Sequence, residues 1–311
     1  MKTIDIIIPA FNEEDTLKET LVRLKNLKTK FKPVLDTNLI FINDGSQDKT
    51  LDILKKFSLS NKYIKILSFS RNFGHQIAVS AGLDFSKGDY VAIIDADLQD
   101  PPELIFHMYE ALIKNQVDVV YGQRVQRDGE SIFKKITATF FYRILNNFSS
   151  VEIPVDTGDF RIITKRVVGY LVKMPEKHRF LRGMIPWVGF KSFPYMYKRE
   201  KRFAGETKYP LMKMVEFAFT ALLSFSSRPL KLVMAFGFFI CFFSLLLIIF
   251  LVGLKLFTQL FIPGFVSIIL AISFFGGINI FILGIIGQYI SNIFEEAKGR
   301  PLYILDEEIN F

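Results

Sequence analysis

The sequence predicts an α/β protein, built on a mostly parallel sheet with flanking helices and followed by a C-terminal pair of membrane-spanning helices. Three observations carry this expectation. Short apolar runs alternate with helical periods through the N-terminal part of the chain. Polar clusters close those apolar runs. Two long segments near the C-terminus are almost free of charge.

Residues 4–8 are an apolar strand, followed by a loop over 9–14. Leu17, Leu21 and Leu24 recur at a helical period, which predicts a helix over 16–27. Residues 38–43 are the second strand, ending in Asp44, Gly45 and Ser46. A helix over 48–57 and a strand over 63–68 follow, then a turn at Asn72, Phe73 and Gly74. Small residues predict a helix over 76–83. Residues 90–94 are the fourth strand, 102–114 a helix and 118–121 the fifth strand. Ligands of parallel α/β sheets bind at the carboxyl ends of the strands. Four polar clusters fall there: 9–13, 44–46, 95–100 and 122–124.

The most informative cluster reads Asp95, Ala96, Asp97, Leu98, Gln99, Asp100. Asp95 and Asp97 are two apart, so on an extended backbone their carboxylates project to one side. Like charges side by side repel unless a cation or a donor sits between them. Solvation in a turn satisfies such a pair. So does a hard divalent cation carrying a nucleotide diphosphate. Neither G-x-G-x-x-G nor G-x-x-x-x-G-K-S/T occurs, so dinucleotide and P-loop chemistry lack motif support. His75, His107 and His178 are too scattered for a zinc site. His75 follows the turn at Asn72–Gly74 and lies near the pocket, but reads mainly as structural.

Among 311 residues there are 34 Phe, and mean hydropathy is +0.29, apolar for a soluble protein. Cys241 is the single cysteine, which excludes a disulfide framework and a cysteine-rich metal centre. The net charge of +8 suits nucleic acid, anionic lipid or a phosphorylated substrate. Residues 230–257 and 265–290 each exceed the roughly 20 residues that cross a hydrocarbon core. The short linker between them predicts a transmembrane hairpin. Arg228 and Lys231 precede the first span, and Lys298 and Arg300 follow the second. This places the N-terminal domain and the tail on the cytoplasmic side. Residues 131–148 and 209–227 mix apolar and basic positions, as interface helices or ordinary packed helices do. Residues 1–5 run straight into a strand, so no leader peptide is expected.

Four motifs occur in a fixed order: Ile8-Pro9-Ala10-Phe11-Asn12-Glu13, Asn43-Asp44-Gly45-Ser46, Arg71-Asn72-Phe73-Gly74 and Asp95-Ala96-Asp97-Leu98-Gln99-Asp100-Pro101. The chain thereby resembles glycosyltransferase family 2, with its GT-A fold. Asp156-Thr157-Gly158-Asp159-Phe160-Arg161 and Arg202-Phe203-Ala204-Gly205-Glu206-Thr207-Lys208-Tyr209 are similar to motifs of its polyisoprenyl-phosphate branch. With the C-terminal spans, the resemblance extends to enzymes that glycosylate bacterial undecaprenyl phosphate.

The resemblance implies sugar transfer from a nucleotide diphosphate sugar, UDP-glucose first, to a polyprenyl phosphate in the bilayer, with inversion. It implies a core over 1–130 and an acceptor-side part with interface helices over 131–228. Two transmembrane helices over 229–292 and a cytoplasmic tail over 293–311 complete the chain. The location is the bacterial inner (plasma) membrane, multi-pass, and a homo-oligomer is compatible; the resemblance implies no nucleic-acid partner. By analogy Asp97 holds Mg²⁺ or Mn²⁺, with Gln99 as a second oxygen donor. Asp95 faces the ribose or shares the metal shell, and Ala96 lies between them. Pro9, Phe11 and Glu13 line base and ribose. Asp44 takes the base edge alone, because Asn43 stands where many relatives carry an acid. Arg124 contacts sugar or phosphate, and Arg161 and Lys208 the acceptor phosphate. Arg202 and Lys208 belong to a loop that closes over the diphosphate. Asp159 is the general base of an ordinary inverting transfer. A phosphate monoester is already largely dianionic at neutral pH, so Asp159 alternatively orients the acceptor or the arginines. Two other readings are a processive polysaccharide synthase and a noncatalytic membrane scaffold. No Gln-x-x-Arg-Trp motif surrounds Trp187, and the acids at 95, 97 and 159 are intact.

Overall fold

The computed structural model of the protein describes residues 1–125, 154, 157–200 and 264–311, with positions 237–240, 242, 243, 246, 249 and 250. These residues fall into two compact units, the first of which takes in 1–125, 154, 157–200 and 301–311.

The first unit runs β1 (Thr3–Ala10), α1 (Leu17–Phe31), β2 (Asp36–Asn43), α2 (Thr50–Ser60), β3 (Ile64–Phe69), α3 (His75–Phe85), β4 (Tyr90–Ile93), α4 (Leu104–Asn115) and β5 (Val119–Arg124). Then come β6 (Thr157–Thr164), α5 (Lys165–Leu171), α6 (Leu181–Val188) and β7 (Ser192–Tyr197). Near the C-terminus β8 (Leu305–Ile309) returns to the same sheet. The eight strands lie in the order β7-β5-β6-β4-β1-β2-β3-β8. β6 runs antiparallel to β4 and β5, and β8 antiparallel to β3; the other pairings are parallel. The carboxyl ends of β1 to β5 and β7 therefore meet the start of β6 along one edge.

β1 is central and covered on both faces, which is why its sequence is apolar apart from Thr3 and Asp5, and the buried Asp5 carboxylate accepts from Lys87 N, Gly88 N and Asn38 Nδ2. Ile4, Ile6 and Ile8 join the core with Leu17, Leu21, Leu24 and Phe31 of α1 and Ile105, Met108 and Leu112 of α4. Ile7 faces α3, whose small residues allow close approach: a Cβ on Gly82 would stand 2.5 Å from Ile7 Cγ2. β1 continues past residue 8 through Pro9 and Ala10. Proline lacks the N–H a central strand needs, but β4 pairs β1 only over Ile4–Ile7, so Pro9 lies beyond that ladder.

Three strands lie outside the five expected. β6 reads Thr-Gly-Asp-Phe-Arg-Ile-Ile-Thr, whose buried charges mask an apolar run. β7 contains Pro194 and is largely half-exposed, as an edge strand tolerates. β8 is acidic and alternating on the opposite edge. The tail is fastened by Tyr303, whose hydroxyl donates to Asp84 at 2.9 Å and whose ring stacks on Phe69 at 5.1 Å.

The second unit contains α7 (Phe265–Ala297). Its stretch Phe274–Ala297 has mean hydropathy 1.6 and is unburied, long and apolar enough to cross a membrane. The described positions between 237 and 250 are helical, with Phe238, Phe239, Phe242 and Phe243 exposed. The expected interface helices at 131–148 and 209–227, most of the first span, and Arg202 and Lys208 lie outside the described residues.

Candidate active site

The loops after β1 and β2 are knitted together. Asn12, at φ 53°, donates its N–H to Ser46 Oγ at 3.0 Å and accepts from Gln47 N at 2.9 Å. Glu14 N donates to Asp48 at 3.1 Å, and Lys49 N donates to Glu14 at 3.1 Å. Glu13 Oε2 accepts from the Thr16 hydroxyl at 2.8 Å at the entry to α1. Phe11 is half-buried beside it, and Pro9 is buried in β1. Asp44, itself buried, accepts from Phe73 N at 2.7 Å, Gly74 N at 3.0 Å and Asn72 Nδ2 at 3.0 Å. It thus clamps the turn that leads into α3. Gly45 has φ +66°, and a Cβ there would lie 2.4 Å from the Arg71 carbonyl carbon, so only glycine fits.

The acidic loop follows β4. Thr20 of α1 donates to Ala96 O at 3.0 Å, and Gln99 N donates to Asp97 Oδ1 at 3.1 Å. Leu98 is buried at φ 58°, a conformation that costs a side-chain-bearing residue energy and clusters at functional sites. Asp95 Oδ1 is buried without a hydrogen-bond partner. It lies 3.5 Å from His75 Nε2. Burial pushes the Asp95 carboxyl up to about 6; His75 opposes this, while Asp97, Asp159 and Asp100 reinforce it.

Asp159 stands at the start of β6 and is 3% exposed. Arg182, at the start of α6, donates Nε to Oδ1 at 3.0 Å and Nη2 to Oδ2 at 2.9 Å. Gln76 Nε2 donates to Oδ2 at 3.1 Å, while Gln76 Oε1 accepts from Leu181 N at 3.0 Å. His75 Nε2 lies 3.2 Å from Oδ2. Burial would raise this carboxyl, but Arg182 and His75 hold it well below the usual carboxylate range. For His75 burial pulls down, yet the Asp95 and Asp159 charges outweigh it and bring the ring to about 9. Arg161 is turned inward, donating Nη2 to Gly158 O at 2.7 Å and Nε to Asp159 O at 3.2 Å.

A second buried acid, Asp100, accepts a short hydrogen bond from the Tyr197 hydroxyl. Arg199 Nε lies 3.3 Å and Arg124 Nη2 3.7 Å from its carboxylate. Glu200 N donates to Gln99 O at 2.9 Å, so the chain leaving β7 runs beside the acidic loop.

The edge thus collects Pro9, Phe11, Glu13, Asp44, Asp95, Ala96, Asp97, Gln99, Arg124, Asp159 and Arg161. Gln76 and Arg182 were not legible, because no motif marks them and their partners are distant in sequence. His75 carried one signal, its place after the Asn72–Gly74 turn. The orphaned Asp95 oxygen and the half-buried Asp97 fit a hard divalent cation, which takes one or two carboxylates and completes its shell with phosphate oxygens. Among the described residues no larger cluster of ligating side chains occurs.

A mostly parallel sheet with an acidic loop and two crossed polar loops at one edge is a glycosyltransferase arrangement. Residues 5–171 match the family model of Glycosyl transferase family 2, and the chain belongs to that family. It is 45% identical over 302 residues to the uncharacterized glycosyltransferase YkcC of Bacillus subtilis, covering 97% of this chain and 93% of that protein. It is 34% identical over 305 residues to the bactoprenol glucosyl transferase of Shigella phage SfV, covering 98% of each. In fold it is similar to mannosyl-3-phosphoglycerate synthase from Rubrobacter xylanophilus, with TM-score 0.50, 15% identity and 74% of each chain covered.

Proposed function

We propose that the protein transfers a sugar, with UDP-glucose as donor, to undecaprenyl or another polyprenyl phosphate, inverting the anomeric centre. The observation that supports this most is the full-length similarity to a bactoprenol glucosyl transferase, joined to an acidic edge suited to a nucleoside diphosphate. The product is a lipid-phosphate sugar for envelope polysaccharide modification.

In this reading the 9–14 and 44–48 loops, with Asp95, hold base and ribose. Asp97, with Gln99 and Asp95, would hold Mg²⁺ or Mn²⁺, which supplies charge for the departing diphosphate. An oxygen of the acceptor phosphate attacks the anomeric carbon from the face opposite the leaving group. The new C–O bond forms as the bond to the diphosphate breaks, and the electron pair leaves with the nucleoside diphosphate. The acceptor is already dianionic near neutral pH, so no proton need be removed. Arg124 steadies sugar or phosphate, and Arg202 and Lys208 close over the diphosphate. α7 and the preceding apolar span form the membrane hairpin at the inner membrane, with the catalytic unit and tail on the cytoplasmic side.

Membranes containing the protein, given undecaprenyl phosphate and radiolabelled UDP-glucose, UDP-galactose, UDP-N-acetylglucosamine or GDP-mannose in turn, test this. Label should enter the lipid extract from UDP-glucose. No lipid label from any donor would contradict the reading.

A further inference from the structure

The acceptor on which this inference rests, a lipid phosphate, is a dianion that needs donor side chains held ready for it. Arg161 is 4% exposed, and its guanidinium donates to two backbone carbonyls and lies 3.9 Å from the Asp159 carboxylate, beneath the surface. Arg182 and His75 differ: their side chains are 27% and 30% exposed, over an Asp159 carboxylate that is 3% exposed. We propose that Arg182 and His75 bind the acceptor phosphate and that Asp159 is a positioning residue which holds both side chains toward it.

The construction of the cluster supports this assignment. Asp159 has four donor atoms within about 3.2 Å, Arg182 Nε and Nη2, Gln76 Nε2 and His75 Nε2, with Arg161 Nη2 farther off at 3.9 Å. An ionised carboxylate offers about four acceptor sites. A proton arriving on Asp159 would displace a charge-assisted bond, so it is poorly built as a base. A dianionic acceptor makes a base unnecessary. Such an acceptor needs cations fixed in place, because a guanidinium fork pre-organised by a carboxylate loses little freedom on binding. Gln76 completes the frame by joining Asp159 to the backbone of Leu181, one residue before Arg182. His75 Nε2 also lies 3.5 Å from Asp95 Oδ1, linking the acceptor-side cluster to the acidic loop. The phosphate would thus arrive beside the bound donor.

The test is steady-state kinetics of the full-length protein in lipid nanodiscs with undecaprenyl phosphate and the donor that supports transfer. Arg182→Lys and His75→Gln should each raise the acceptor KM about 10- to 100-fold, the loss expected for a charge-assisted contact. For Arg182→Lys the donor KM and UDP binding should stay within about twofold, which also shows that this variant is folded. Asp159→Asn should raise the acceptor KM in the same way. An acceptor KM unmoved in Arg182→Lys and His75→Gln, or an Asp159→Asn variant that loses only kcat, would overturn the assignment. A wild-type protein inactive on lipid phosphate would overturn the proposed function and this inference with it. Activity in the wild type with an unmoved acceptor KM sinks this inference alone.

Discussion

Asp95 and Asp159 lie at one edge of the sheet and approach the same nitrogen, His75 Nε2, at 3.5 and 3.2 Å. Asp159 also receives the Arg182 fork and the Gln76 amide. Asp95 Oδ1 is buried with no hydrogen bond. Burial raises both carboxyls, but the outcomes part: Asp95 is pushed up to about 6, and Asp159 falls well below the ordinary range. The Asp95 side chain is 30% exposed and that of Asp159 3%, so the deeper acid has the lower value, and the supply of donors outweighs depth. An acid short of donors gains most when a cation or ligand arrives. One fully supplied keeps its partners in position.

The largest expected effect is on the donor side. Asp97→Ala should lower sugar transfer by about 100- to 1000-fold, the usual scale for losing one electrostatic contributor, while the protein still fractionates with membranes. Transfer at the wild-type rate would remove Asp97 from the metal site. On the acceptor side the effect falls first on stability. Arg182→Ala leaves Asp159 buried without its fork and should cost about 3 kcal/mol, read from urea unfolding in detergent. Gly45→Ala should cost about 1–3 kcal/mol through its positive φ and the collision with Arg71, and should weaken UDP binding in a titration. A silent substitution there would show that the clamped turn does not shape the donor pocket.

The parallel core was legible because buried parallel strands are plain apolar runs, as at residues 4–8, 38–43 and 90–94. The donor edge was legible for a related reason: its motifs are local, and strand ends bring them together. The acceptor cluster was legible only in part: Asp159 and Arg161 stand in a motif, while Gln76 and Arg182 do not. Asp159 meets Gln76 across 83 positions and Arg182 across 23, and nothing local to Gln76 or Arg182 announces the contact. β6 hid behind its own charges, since Asp159 and Arg161 make a buried strand look like a polar loop. β8 hid because an acidic edge strand resembles a solvated tail; its pairing with β3, the Tyr303 contacts and the Asn310 hydrogen bonds to Ser58 O and Ile64 O identify it.

The contrast between the two acids is tested most directly by replacing each with asparagine and measuring Tm at pH 7. Asp95 has a folded value above its ordinary 3.8, so its charge costs the fold stability above that value; the cost fades as pH falls from about 6 toward 4. Asp159 has a folded value below its ordinary 3.8, so it stabilises at neutral pH, and that gain is lost only as pH falls through the folded value. Asp95→Asn should therefore raise Tm and Asp159→Asn should lower it, with the gain from Asp95→Asn shrinking at pH 4. Shifts of the same sign at pH 7 would contradict the account.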